Sequence, residues 1–500
     1  MTKQIAVALI ALAVLIGATV AADAVVQAPQ RPTQEFTEDV SVDSGTWYCA
    51  PIVRENETAT LSIAAVGDEP SRVRIERIAG GESSAEDPLE LAPETTEDIE
   101  IEGSSGIAGF LVRWSGGPAV ASWRVDGGQQ RVTTPCASSP APRWSVPGAE
   151  TTIGSSTRLY LFNPFDSDAV ARVAFATPEG RIDLVSSENV SVPAREVVDL
   201  GINELQPEQP DMGILVEVEA GRVIATAMQR FGQPDLPDVE LEGAESPLDP
   251  TAPEGRTVLP AIAETSTSVG LAYASAGESS TSWASVVNPT TEPANVAVEV
   301  TDAIAGTAIE QELVIGPESV ERVELSGVSS APQFGVRLTS TNGVPIAANG
   351  FVALIGDDKR VSSATAVAEA DVANVLPVVP PDTDATIMLY NAGDAGVTAN
   401  VSVGGEVPSA WSAVELAAGT VEVLSFEDAG VSEGGPVVAS ADQPIYATMR
   451  LATAGSEVDQ FATSPLLPAN LWQGSANAPV PVRERTLDTR PVDFPAPPEQ

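Results

Sequence analysis

The feature that most constrains this chain is a stretch from Arg158 to Phe231 that recurs, in recognisable form, three more times. It reads RLYLFNPFDSDAVARVAFATPEGRI, then VSVPAREVVDL, then MGILVEVEAGRVIATAMQRF. Short apolar runs alternate with polar residues and are broken by Asn-Pro, Pro-Glu-Gly and Ala-Gly, the pattern of an antiparallel sheet. Superposed on Asn163, the other copies place Ala65, Asn288 and Asn391 at that position. The strand that follows carries Ala171, Val173 and Phe175, matched by Val73 and Ile75, by Val296, Val298 and Val300, and by Ala399, Val401 and Val403. Between them stand Arg72, Arg74, Arg172, Ala174, Ala297, Glu299, Asn400 and Ser402. Period-two alternation held in one register predicts a strand with one face on a core and the other in water.

Later elements agree. Pro93, Pro193 and Pro317, and Ala417-Ala418-Gly419 in the fourth copy, each lead into another alternating run. Turns at Gly116-Gly117, Ala220-Gly221, Asn342-Gly343 and Asp442-Gln443 predict a closing hairpin, Asn-Gly being a strong hairpin signal. The copies open alike, at Trp47 to Pro51, Trp144 to Pro147, Val258-Leu259-Pro260 and Val375-Leu376-Pro377. Their spacing, roughly 100 residues, is that of one sandwich domain. The predicted fold is all-β: four tandem immunoglobulin-like antiparallel β-sandwich domains after an N-terminal apolar export or anchor helix. The sandwiches are assigned to residues 41–140, 141–235, 257–371 and 372–468. An acidic, Pro-rich linker is expected at 236–256 and a disordered Pro-rich tail at 469–500. The third copy holds about a dozen extra residues before Asn288, within AIAETSTSVGLAYASAGESS, which are expected to form a surface loop or added hairpin.

The N-terminus supplies the cellular address. Ile5 to Ala22 carries no charge, follows Lys3 and ends at Asp23. Residues 1–24 are therefore a cleaved signal peptide or an uncleaved membrane anchor, with 25–40 a flexible stalk. Either way the remainder lies outside the cytoplasm: on the outer face of the cytoplasmic membrane, in the cell wall, or secreted after cleavage. The two cysteines fit an oxidising compartment. Cys49 and Cys136 fall in one repeat, at its first and last strands, and are expected to form a disulfide.

Charge narrows the partners. With 25 Lys and Arg against 70 Asp and Glu, the net charge is −45, which repels nucleic acid and anionic membrane surfaces. The acid is expected to keep a long rod soluble. Asp166 with Asp168, and Asp382 with Asp384, flank turns but do not follow the spacing of a calcium loop. The chain has no His. That removes the commonest general base, the His-dependent nucleophile arrangements and most catalytic zinc sites. No Gly-rich phosphate loop joins a strand to a helix. No catalytic residue, cofactor or metal ligand is assigned. The candidate binding surface is aromatic: Trp47, Trp114, Trp123 and Trp144 lie in the first copy or at its junction with the second, where exposed rings would offer platforms for sugars.

The segments FNPFDSDAVARVAFATPEG, VSVPAREVVDLG and GRVIATA, with WYC near the start, resemble an actinobacterial family of exported proteins, domain of unknown function 5719. The resemblance covers most of residues 40–470 and implies an envelope location with an anchor-plus-repeats layout; it implies no activity. The fourth copy departs from the pattern, with Asn391-Ala392 where the second and third have Asn-Pro. The expected function is a non-enzymatic exported cell-envelope protein, a scaffold or protein-interaction rod whose partners are envelope proteins. The alternative is a module that binds cell-wall polysaccharide, and a remote third is a catalytic ectodomain.

Overall fold

The computed structural model describes residues 44–468 apart from 54–57, 103–106, 128–129, 233–254, 276–279, 303–306, 327, 330–332, 355–360, 368–369, 380–382, 432–434 and 454–460. The export segment 1–24, the stalk 25–40 and the tail 469–500 lie outside the described residues. The described residues form one compact unit.

The first sandwich runs β1 (Ser44–Cys49), β2 (Thr58–Ala65), β3 (Ser71–Ala79), β4 (Glu82–Ala85), β5 (Leu89–Leu91), β6 (Thr96–Glu102), β7 (Gly109–Gly116), β8 (Ala119–Gly127) and β9 (Gln130–Pro135). The second runs β10 (Arg143–Ala149), β11 (Ser156–Asn163), β12 (Ala169–Thr177), β13 (Gly180–Asp183), β14 (Val190–Val192), β15 (Glu196–Gly201), β16 (Met212–Ala220), β17 (Ile224–Phe231) and β18 (Gly255–Pro260). The third comprises β19 (Ser268–Ser275), β20 (Ser280–Asn288), β21 (Ala294–Asp302), β22 (Thr307–Ile315), β23 (Ser319–Glu324), β24 (Gln333–Ser340), β25 (Ala347–Leu354) and β26 (Val361–Thr365). The fourth comprises β27 (Asp371–Leu376), β28 (Thr383–Tyr390), β29 (Val397–Val403), β30 (Val414–Leu416), β31 (Val421–Ser425), β32 (Val437–Thr453), β33 (Phe461–Pro465) and β34 (Leu467–Pro468).

One topology serves all four. The first sheets are ordered β1-β7-β3-β4, β10-β16-β12-β13, β19-β24-β21-β22 and β27-β32-β29-β30. The second sheets are ordered β6-β2-β8-β9, β15-β11-β17-β18, β23-β20-β25-β26 and β31-β28-β32-β33. All the ladders between these neighbours are antiparallel. Of the expected core positions, Val73, Ile75, Ala171, Val173, Phe175, Val296, Val298, Val300, Ala399 and Val401 are buried between the sheets, and Val403 is half-buried. Alternation works here because every second side chain meets the facing sheet about 10 Å away.

Four expectations are corrected. The turns at Ala220-Gly221 and its counterparts do not close hairpins: β16 pairs with β10 and β12, whereas β17 pairs with β11 and β18. They carry the chain from one sheet to the other, and in the fourth sandwich β32 bends through this corner without breaking and serves both sheets. The corner is held by side chains; Asn342 Oδ1 accepts from the Asn295 amide at 3.0 Å and Asp442 Oδ1 from the Thr398 amide at 2.9 Å. Second, Val258-Leu259-Pro260 does not open the third sandwich. It lies in β18, paired with β17, so the stretch 236–256 joins two neighbouring strands of one sheet, and its last two residues are already in β18. Third, the extra dozen residues contain the true opening strand, β19, with Leu271, Ala272 and Ala274 buried. The opening and closing strands share an apolar run, so the motif alone assigns them to the wrong copy.

The fourth correction concerns the outer faces. They meet protein over part of their area: Ala174 and Ala176 of β12 and Leu215 of β16 pack against Val287 of β20 and Val320 of β23, whereas Asn400 is exposed and Arg72, Arg74, Arg172, Ala297, Glu299 and Ser402 are half-buried. The first sheet of each sandwich covers the second sheet of the next, and the fourth covers the first in the same way through β27 and β8. The closing strands then meet in a cycle, β9 against β18, β18 against β26, β26 against β33 and β33 against β9. The expected rod is a closed ring of sandwiches. Core clusters run across the junctions, Tyr48, Ile78 and Leu111 of the first sandwich joining Phe162 of the second.

Candidate functional site: the junctions between sandwiches

Trp47, Trp114, Trp123 and Trp144 are 2–5% exposed, so the four rings fill cores rather than form the candidate platform. Two of them repeat one job. Trp47 Nε1 donates to the Ala119 carbonyl at 2.7 Å and Trp144 Nε1 to the Val223 carbonyl at 3.0 Å, joining the opening strand to the chain beside the sheet-to-sheet corner. A buried indole N–H requires such an acceptor. Trp114 and Trp123 fill the core of the first sandwich. Cys49 and Cys136 are disulfide-bonded, with their Cα atoms 4.7 Å apart, next to the mutual backbone pair of Tyr48 and Ala137.

The residue on which the copies superpose is a pin. Asn163 Nδ2 donates to the Ser167 and Val192 carbonyls and its Oδ1 accepts from the Phe165 amide. Asn288 and Asn391 repeat this with Glu292 and Gly316, and with Ala395 and Ala417, while accepting from Thr290 and Gly393. Asn391-Ala392 thus keeps the loop geometry of Asn-Pro. In the first sandwich Ala65 has no such group, and Glu94 substitutes: its Oε1 accepts from the Gly67 amide at 2.6 Å, the same position two residues on. Asp166 and Asp168, the pair weighed for calcium, serve the turn before β15 instead. Asp166 pairs with Arg195 and Asp168 Oδ1 accepts from the Ala194 amide at 2.9 Å. Asp382 lies outside the described residues.

The sites that sequence reasoning missed sit between the sandwiches. The sheet register aligns Gly109, Gly213, Gly335 and Pro436, each three residues before the strand position paired with Ile75, Val173, Val298 or Val401. At the three glycines an added Cβ would lie 2.3 Å from the Phe162 ring, 2.5 Å from Val287 Cγ2 and 2.4 Å from the Tyr390 ring. Each knob is the residue immediately before the pinned Asn of the next sandwich. Glycine is required there for closeness, since any side chain would occupy the same space. The recurring Gly before the apolar run (GFLV, MGILV, FGVRL) was the available signal.

Polar side chains brace the same junctions. Arg195 reaches back to Glu76 at 2.8 Å, and Glu318 to Arg181 at 2.6 Å. Both Arg195 and Glu318 occupy left-handed backbone, φ 57° and 48°, at matching turns. Burial opposes the charge on Glu76, but Arg113 and Arg195 together hold its carboxyl below the usual range. At the third junction Arg337 donates to the Ala392 carbonyl at 3.0 Å.

Two polar clusters stand out chemically. A cleft between the first and second sandwiches is lined by Ile52, Ser156, Arg158, Tyr160, Met228, Arg230 and Arg256, and its volume of about 10 Å³ suits a single water. Arg230 and Arg256 face each other across the β17–β18 ladder, and Arg158 is held by Asp199 at 2.6 Å. Between the second and third sandwiches, Asp211 Oδ1 accepts from Ser285 Oγ at 2.9 Å, while its buried Oδ2 has no hydrogen-bond partner. Asn349, paired with Ser285 across the ladder, likewise has a buried, unpartnered Oδ1. Burial pushes the Asp211 carboxyl up to about 6, against the pull of Ser285 and Arg322. Among the described residues no three His, Cys, Asp or Glu side chains converge as metal ligands, and no helix is long and apolar enough to cross a membrane.

Comparison with known proteins places the chain without naming an activity. No curated protein matches it. The profile of a family of unknown function, DUF5719, matches twice, over residues 115–282 and 261–487. Those regions span from the middle of the first sandwich to beyond the last described strand, and the chain belongs to the family of unknown function DUF5719.

Proposed function

We propose that this is an exported, non-enzymatic protein of the actinobacterial cell envelope that acts as an interaction scaffold. The observation that carries the reading is the use of side-chain chemistry. The conspicuous polar groups (the three Asn pins, Arg195 with Glu76, Arg181 with Glu318) hold turns and junctions together rather than converging on a cleft able to hold a substrate. The disulfide and the charge-free segment Ile5 to Ala22 favour export. The closed arrangement makes the presented surface one of loops and strand edges on a rigid base, a setting in which loops commonly carry recognition. The acidic composition favours partners with basic surfaces and disfavours nucleic acid.

In-cell crosslinking followed by fractionation tests this reading. Recovery of a defined envelope-protein partner from the outer face of the membrane or the wall fraction is the expected result. Exclusive recovery in the cytoplasm would overturn export. The polysaccharide alternative is checked in parallel by co-sedimentation with purified wall polymer, where the scaffold reading expects a protein-free pellet at physiological salt.

A further inference from the structure

The four junctions of the ring are not equivalent. Three join sandwiches that follow each other in the chain, so their partners stay tethered even when separated. The fourth joins the two ends: Thr96 Oγ1 donates to the Pro377 carbonyl at 2.7 Å across 281 positions of sequence, and Arg131 bonds Thr383 across 252. We propose that this contact of the fourth sandwich on the first is the seam at which the ring opens.

The knob and socket common to the other three junctions are missing here. Where Phe162, Val287 and Tyr390 supply a knob, the first sandwich has Ala64; where Gly109, Gly213 and Gly335 supply a socket, the fourth has Pro436. Knob and socket are lost together at this position. The bracing position makes no ion pair across the seam among the described residues, as at the third junction, where Gly419 holds the corresponding turn, φ 70°. Glu94 holds the same left-handed turn as Arg195 and Glu318, φ 56°, but its Oε1 is committed to the Gly67 amide and its buried Oε2 has no hydrogen-bond partner. Facing it in the fourth sandwich are the backbones of Gly405 and Gly435, which carry no cation. Along the inner strands, Thr257 bonds Ser363 and Ser362 bonds Thr463, both at 2.9 Å. The aligned pair at the seam is Ala462 and Thr133, and at the first junction Val132 and Val258, so neither carries this bond. Among the described residues, what holds the seam is Val375 and Leu467, with Ala373 and Val438, against the first core, and the bonds of Thr96 to Pro377 and Arg131 to Thr383. Opening therefore breaks an apolar contact and few directional bonds, placing it at the low end of the range of sub-global openings.

Thiol labelling of the full chain tests the proposal, the native cysteines being disulfide-bonded. Ser145 and Val375 occupy equivalent positions, each one residue after the residue paired with Val216 or Ala439, and both are buried at a junction. Under native conditions the Val375→Cys variant is expected to label about tenfold or more faster than Ser145→Cys, because only the first lies at an untethered, uninterlocked junction. Adding Ala64→Phe with Pro436→Gly to Val375→Cys installs the missing knob and socket and should slow its labelling. Equal rates, or faster labelling of Ser145→Cys, would overturn the proposal, as would a reconstructed interlock that leaves the rate at Val375→Cys unchanged.

Discussion

At the scale of single residues, the buried Asn carries more of the fold than its chemistry suggests. Asn163, Asn288 and Asn391 are fully buried, and each ties the loop after its strand to the turn that begins the next element. Replacing one by Ala strands two carbonyls and an amide, each costing about 1–3 kcal/mol when left unsatisfied. Asn288→Ala is expected to lower stability by about 2–4 kcal/mol in urea denaturation, and Glu94→Ala by less, since Gly67 is only one of those groups. Equal losses at both sites would contradict the assignment of Glu94 as a partial substitute. Asp211 gives the clearest pH dependence. Its carboxyl lies higher in the folded protein, about 6 against an ordinary 3.8, so the folded state binds the extra proton between those values. The contribution is full below about 4 and is lost as pH rises through about 6, a change of about 3 kcal/mol for a shift of this size. Asp211→Asn should therefore be more stable than the parent at pH 7 and should lose the parent's gain in melting temperature on acidification from pH 7 to pH 4.5. A parent and variant with parallel profiles would exclude Asp211 as the source. Burial of this carboxyl was not legible in a sequence with 70 acids, because nothing local distinguishes Asp211 from the others.

At the scale of elements, strands were legible and pairing was not. Val73, Ile75, Ala171 and Val173 announced a strand because alternate residues meet a core, a property written in the segment itself. Which neighbour pairs with β17 depends on whether the chain turns within a sheet or crosses between sheets, and Ala220-Gly221 looks the same in either case. Ala174 illustrates the other limit: a small residue on the expected water face is buried at 0% exposure because the next sandwich covers it. The knob-and-socket junctions make a testable pair of elements. Gly335→Ala places a methyl 2.4 Å from the Tyr390 ring, an overpacking expected to cost about 1–3 kcal/mol. Tyr390→Ala removes the ring and is destabilising alone through the cavity it leaves. Combined, the two should be far from additive, since the added methyl then enters space the ring has left. A double-mutant cycle by chemical denaturation measures the coupling, and additivity within about 0.5 kcal/mol would show that the two side chains do not compete for one site.

At the scale of the whole molecule, the count of sandwiches could be read from repetition, but closure could not. The acidic stretch 236–256 points the wrong way: it resembles an inter-domain linker while joining β17 to β18 within one sheet. Closure brings acids from both ends of the chain onto one body, and charge then works against compactness. With a net charge of −45 and only 25 cations, many of them already held in pairs such as Arg113 with Glu76 and Arg124 with Asp98, the remaining carboxylates repel one another across the surface. Exposed pairs contribute little, so screening them removes less stability than screening the repulsion restores. The Debye length falls from about 30 Å at 0.01 M salt to about 8 Å at 0.15 M. Raising sodium chloride from about 0.01 M to about 0.15 M should therefore raise the melting temperature, with most of the gain complete by the upper value. A fall over that range would mean that the ion pairs bracing the junctions, Arg195 with Glu76 and Arg181 with Glu318, outweigh the net repulsion and that the ring is closed by charge rather than in spite of it.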